Sequence, residues 1–169
     1  MARGYSGAQV FNTFGATKEQ GEPNHADIIG GASQWFTYAA PQNGTVRVST
    51  EGSSFDTVLA IYTGPGTDFA SLKIEAFDNN SGADGKTSVA TLSVKAGTTY
   101  FIAVDGINGA TGTVKLSYEM GAGPVISTQP LSTAAALGSS AFLVVGVSNP
   151  LSGVTTSIPT VRYQWSKEG

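Results

Sequence analysis

The chain has 169 residues, of which 22 are Gly and 7 are Pro, none is Cys, and only 12% are charged. A net charge of −3 leaves no electrostatic footprint for nucleic acid, and the missing cysteines remove disulfides, thiolate zinc sites and Cys nucleophiles together. The single histidine, His25, excludes multi-histidine metal sites, and no apolar run approaches the roughly 18 residues of a membrane span. At roughly 100–200 residues per domain, the length allows one domain with a fragment, or two small ones.

A low-charge chain rich in Thr, Ser and Gly suits β-structure, where β-branched and hydroxyl side chains fit a pleated surface. In chain order the predicted strands are Ala8–Phe14, Ser33–Ala39, Gly44–Thr50, Thr57–Thr63, Leu72–Asp78, Ser88–Lys95, Thr99–Val104 and Gly112–Glu119. Turn signals separate them, among them Asn43-Gly44, Gly64-Pro65-Gly66, Asp84-Gly85 and Asn108-Gly109. No segment carries an apolar repeat of 3.6 residues, so the expected class is all-β, a sandwich of about eight strands. Val46 and Val48 alternate with Thr45, Arg47 and Ser49, and Val114, Leu116 and Tyr118 alternate with polar neighbours, as strands with one dry face do. Val58–Tyr62 and Tyr100–Val104 are apolar on both faces and should be central. Asn43-Gly44 is the strongest hairpin signal and should join Ser33–Ala39 to Gly44–Thr50, with Pro41 outside the ladder.

Gly121-Ala122-Gly123-Pro124 reads as a linker between a first domain, residues 1–120, and a second segment, residues 125–169. In that segment no acidic residue appears until Glu168. Its candidate strands are Val125–Thr128, Ser140–Val147 and Thr160–Lys167.

Several stretches carry a family likeness: Gly15–Ala26, Gln34-Trp35-Phe36-Thr37-Tyr38-Ala39-Ala40-Pro41, Gly52–Gly64 with its Phe55-Asp56-Thr57-Val58-Leu59, and Gly97–Gly106. Together, in order and at sensible spacing, they resemble the bacterial pre-peptidase C-terminal domain family over about residues 8–120. The resemblance implies a jelly-roll-like antiparallel β-sandwich, of the kind appended to secreted proteases, glycosidases and surface proteins. It also implies a fold relationship to the collagen-binding modules of clostridial collagenases. The tail resembles the opening of a bacterial immunoglobulin-like domain, a partial β segment whose Trp165 would sit in a core.

By the resemblance to collagen-binding modules, the loop entering the sandwich would hold calcium through Glu19, Glu22, Asn24 and Asp27, with Asp56, Asp78 or Asp84 completing the site. The competing reading is a solvated, Pro-containing loop whose acids face water. His25 is expected on the surface or in packing rather than as a ligand. Asp56 and Asp105, at strand edges, are expected to accept hydrogen bonds from turn amides. A Ser53 or Ser54, His25 and Asp56 triad can be written down, but nothing around it suggests a nucleophile elbow. The aromatic residues are expected mostly in the core, with Phe36 and Tyr38, or Trp35, as an alternative sugar-stacking platform.

The expected function is therefore a non-catalytic accessory module of a larger extracellular or cell-surface protein. It would be calcium-stabilised and would mediate adhesion or weak polysaccharide or protein binding. Its partners would be other domains of the parent protein, polysaccharide, or another copy of itself, with no nucleic acid and no membrane span. The alternative is a self-assembling filament or surface-layer subunit joined by strand addition through the C-terminal segment. The N-terminus, Met-Ala-Arg-Gly-Tyr, has no apolar stretch of the signal-peptide kind.

Overall fold

A computed structural model of the chain describes residues 2–3, 5–121, 125–128 and 144–148. The β-branched and aromatic runs become strands, and the Gly, Asn and Asp clusters become the turns between them. Two units result, Met1–Gly121 and Ala122–Gly169.

In the first unit the strands are β1 (Ala2–Arg3), β2 (Ser6–Asn12), β3 (Gln34–Ala39), β4 (Gly44–Ser49), β5 (Thr57–Thr63), β6 (Lys73–Asn79), β7 (Val89–Val94), β8 (Thr99–Gly106) and β9 (Thr113–Gly121). They form a five-stranded sheet in the order β1-β3-β8-β5-β6 and a four-stranded sheet in the order β2-β9-β4-β7. Every pairing among β2–β9 is antiparallel, while β1 adds to β3 in parallel at Tyr38 and Ala39. The fold is all-β, a sandwich of two antiparallel sheets, with helical structure among the described residues confined to short 3₁₀ turns.

Alternation along the strands fills the space between the sheets. Val46 and Val48 from β4, Leu59 and Ile61 from β5, Ile102 and Val104 from β8, and Val114, Leu116 and Met120 from β9 are all buried there. Each fully buried side chain of this kind contributes about 1.5–3 kcal/mol of transfer free energy. Phe11 meets Phe36 at 4.7 Å and Tyr38 meets Tyr118 at 5.0 Å between ring centroids, so aromatic pairs also bridge the layers. The two runs that are apolar on both faces became β5 and β8, which pair with each other inside the five-stranded sheet. Their second face carries a smaller cluster, Ala60, Tyr62 and Ala103, with Trp35, Leu72 and Phe101 packed on it. That outer cluster positions the site described below.

One local expectation fails. Asn43-Gly44 is not a hairpin turn, because β3 lies in the five-stranded sheet and β4 in the four-stranded one. Neither residue adopts the positive φ that a type I′ turn requires. Instead the segment is a corner between sheets. Asn43 Oδ1 accepts from the Ala96 amide at 2.9 Å, and Ala40 exchanges backbone hydrogen bonds with the turn at Gly97 and Thr98.

In the second unit β10 (Val125–Thr128) pairs antiparallel with β11 (Gly146–Ser148). The linker residues 122–124, the predicted strand Thr160–Lys167 with Trp165, and most of Ser140–Val147 lie outside the described residues.

Candidate binding surface

The entrance segment between β2 and β3 folds across the outer face of the five-stranded sheet, where its 3₁₀ turn His25–Asp27 meets β5 and β6. Gly21 (φ 84) permits the turn that closes with the Glu22 amide donating to Glu19 O at 3.1 Å. Ala26 (φ 54) and Asp27 (φ 61) are also left-handed. That conformation costs of order 1 kcal/mol or more for a residue with a Cβ, so something must hold it. The holding element is His25, whose ring is driven completely into the sheet.

Both ring nitrogens of His25 are engaged. Nε2 lies 3.0 Å from Glu22 Oε1 and Nδ1 lies 2.8 Å from the Tyr62 hydroxyl. Glu22 also accepts from Trp35 Nε1 at 2.9 Å and, through Oε2, from the Glu19 amide at 2.8 Å. A carboxylate only accepts, so the neutral ring carries its proton on Nε2, and Nδ1 accepts from the Tyr62 O–H. The Trp35 and Tyr62 rings flank the imidazole at 5.2 and 5.9 Å, both edge-on.

Electrostatics follow from this burial. Desolvation lowers the His25 pKa below its usual value, outweighing the opposite pull of Glu22. For Glu22, burial works to raise the pKa. Hydrogen bonds from Ser33, the Glu19 amide, Trp35 and His25 outweigh it, so the carboxyl sits below its ordinary value. Tyr62 is pushed up to about 12, by burial first and then by the charges of Glu22 and Asp27. The set at neutral pH is therefore an anion, a neutral imidazole and a phenol with every proton assigned.

Beside this network a shallow cleft of about 320 Å³ opens on the same face. Trp35, Phe69, Leu72 and Phe101 form its floor and walls, and Glu19 and Asp68 stand at its rim. Trp35 and Phe69 are tilted at 39° with centroids 5.5 Å apart. Gly66 (φ 74) brings backbone so close to Phe101 that a Cβ there would lie 2.7 Å from the ring, so only glycine fits. Strand alternation decides which aromatic residues reach the cleft: Phe36 and Tyr38 point into the sandwich core, and Trp35 points outward. Phe69 and Phe101 complete the cleft, and the sequence singled out neither for it. Phe101 had a legible signal in the two-sided apolar run of β8, whereas Phe69 sits on a 3₁₀ turn with no periodic pattern.

The acids proposed for calcium are dispersed. Glu22 is committed to His25 and Trp35, Asn24 Oδ1 accepts from Lys18 Nζ at 2.8 Å, and Glu19 and Asp27 are exposed. Asp78 accepts from the Ser81 and Val89 amides, and Asp84 from the Lys86 and Thr87 amides, so each fixes the β6–β7 loop. The Thr87 hydroxyl, donating to Asp84 at 2.7 Å, and then those amides lower the Asp84 pKa to about 2. Asp105 is buried and accepts from the amides of Gly31, Ala32 and Gly106, tying the end of the entrance segment to β8. Among the described residues no three His, Cys, Asp or Glu side chains converge as a metal site. His25 is far from a triad role, since its partners are Glu22 and Tyr62, while Ser53 Oγ donates to Thr50 O and Ser54 Oγ accepts from the Thr113 amide.

A second opening, about 410 Å³, lies between the sheets beside β2 and β3, with Ala8, Phe36, Ile102 and Leu116 among its lining residues. In comparisons with known proteins, the chain matches no family model and no curated protein sequence.

Proposed function

We propose that the first unit is a non-catalytic β-sandwich module of an extracellular or cell-surface protein that binds polysaccharide weakly through its outer aromatic cleft. The cleft carries this reading. Sugar rings present apolar C–H faces that stack on aromatic side chains, and their hydroxyls donate to carboxylates such as Glu19 and Asp68. A few polar groups around an apolar floor are the usual make-up of a small-molecule site. The non-catalytic reading is supported by His25, whose nitrogens are both occupied and whose ring is inaccessible. The jelly-roll reading is supported by the strand order, in which successive strands mostly alternate between the sheets. The extracellular assignment rests on the family resemblance. No described helix is long and apolar enough to cross a membrane.

The test is titration of the isotope-labelled chain with neutral and acidic polysaccharides, followed by NMR. Shifts should cluster at Trp35, Phe69 and Phe101. Phe69→Ala, which leaves the His25 network untouched, should weaken binding about tenfold, equivalent to about 1.4 kcal/mol. Binding unaltered by Phe69→Ala and Asp68→Asn, or steady turnover of a glycan, would overturn the proposal.

A second reading, self-assembly by strand addition, is favoured by one observation. Among the described residues only Tyr38 and Ala39 are paired on the outer edge of β3, so Gln34–Thr37 present an open edge beside the 410 Å³ opening. Concentration-dependent light scattering tests it.

A further inference from the structure

The outer cleft is aromatic in its floor and of one sign at its rim. The two charged residues that line it, Glu19 and Asp68, are both carboxylates and both exposed, and no Lys or Arg lines it. Among the described residues the Lys and Arg ion pairs are Arg47 with Glu51 and Lys73 with Glu75, so neither rim carboxylate has a cation of its own. Asp68 holds its charge, because the Ser71 amide and the Thr67 hydroxyl donate to it and keep its carboxyl below the usual range. On the entrance segment, Lys18 Nζ is held by Asn24 Oδ1 at 2.8 Å and does not line the cleft.

A third anion lies behind the floor. Trp35 donates its indole N–H to Glu22 Oε1 at 2.9 Å, and the hydrogen bonds around Glu22 keep that carboxyl ionised. A carboxylate on the N–H polarises the indole and makes its face more attractive to positive charge. Phe69, its centroid 5.5 Å from that of Trp35, and Phe101 add further ring faces. A cleft with apolar walls and charge of one sign concentrates the opposite charge.

We propose that the cleft selects amine-bearing polysaccharide, a polymer of glucosamine-type units with free ammonium groups, over neutral, N-acetylated or acidic glycan. This selectivity rests on the glycan reading above and names its substrate class. A glucosamine unit supplies both halves of the match. Its C–H face stacks on Trp35 or Phe69, and its ammonium reaches the Glu19 or Asp68 carboxylate. N-acetylation keeps the ring and removes the charge, whereas a uronate brings like charge to the rim and is repelled. A lysine side chain carries the ammonium without a flat C–H face for the rings.

The experiment titrates the full chain with a glucosamine oligosaccharide, its N-acetylated form, a glucose oligosaccharide, a uronate oligosaccharide and oligolysine. Chemical shifts are followed at mildly acidic pH, where the sugar amine is charged. The glucosamine oligomer should bind about tenfold tighter than its N-acetylated form. That ratio should shrink at about 1 M salt, where the screening length is about 3 Å. In the double variant Glu19→Gln, Asp68→Asn the ratio should fall to about one. Asn caps a turn about as well as Asp, so the turn Phe69–Ser71 keeps its cap in that variant. Equal binding of the two sugar forms, with shifts at Trp35, Phe69 and Phe101, overturns the selectivity and leaves the glycan reading standing. No binding of any glycan overturns both. A ratio that persists in the double variant traces to the net charge of the chain rather than the rim and overturns the selectivity, as does oligolysine binding in the cleft more tightly than the amino sugar.

Discussion

Replacing Glu22 by Gln tests whether the buried network holds the entrance segment in place. The substitution keeps shape and changes one oxygen to NH₂. With the remaining oxygen at the Oε1 position, the bonds from His25 Nε2 (3.0 Å) and Trp35 Nε1 (2.9 Å) survive but lose their charge assistance. Charged hydrogen bonds contribute about 1.5–3 kcal/mol against about 1 for neutral ones, so this step costs about 1–4 kcal/mol over the two bonds. At the Oε2 position the new NH₂ faces the Glu19 amide, which donated there at 2.8 Å, and a donor now meets a donor. That bond lies at an exposed position, where water replaces the lost acceptor, so it adds little. The expected loss is about 1–4 kcal/mol at pH 7, measured as a fall in the urea midpoint at unchanged m-value. The pH dependence is a second check. Because the folded state lowers the Glu22 pKa, its contribution is complete above the usual 4.5 and disappears as pH falls through the folded value. The gap between native and variant chains should therefore narrow in acid. A loss under about 0.5 kcal/mol at pH 7, or a gap that widens below pH 4.5, would refute the reasoning.

Two further outcomes follow from other buried groups. Asp105→Asn removes the charge that accepts three backbone amides and should lower stability by about 2–3 kcal/mol in urea unfolding. His25 is held neutral, with its pKa depressed below 6.5, so below that pH the unfolded chain binds more protons than the folded one. Stability should fall from pH 6.5 downward by up to about 1.4 kcal/mol per pH unit, and urea midpoints that stay flat between pH 7 and 5.5 would contradict the assignment.

The sheets were readable because period-2 patterning reports a dry face wherever one exists. Val46 with Val48, and Val114 with Leu116, announced theirs, and the two-sided runs of β5 and β8 announced a cover on both sides. What that cover was could not be read. It is the entrance segment, and its docking depends on a proton arrangement among Glu22, His25, Trp35 and Tyr62, residues spread over 41 positions. The Asn43-Gly44 expectation failed for a related reason. Turn propensity describes four residues, whereas the change of sheet at this corner is set by pairing of β3 with β8 and β4 with β7. Acid counting in the entrance segment likewise could not register that Glu22 is consumed by its neighbours.

The interleaving of the two sheets has a kinetic consequence. Among the described residues β2 pairs only with β9, so Ser6–Asn12 must wait for Thr113–Glu119 before that ladder exists. A chain emerging from the ribosome would hold β2 idle for about 5–20 seconds at ordinary elongation rates. Such long-range closure places folding among the slow β-rich domains, in milliseconds to seconds once synthesis is complete. During that wait the apolar face of β4 has neither β9 beside it nor a finished sheet opposite. While it waits, that strand's apolar face and unpaired edge are open to aggregation, the step at which a chaperone acts.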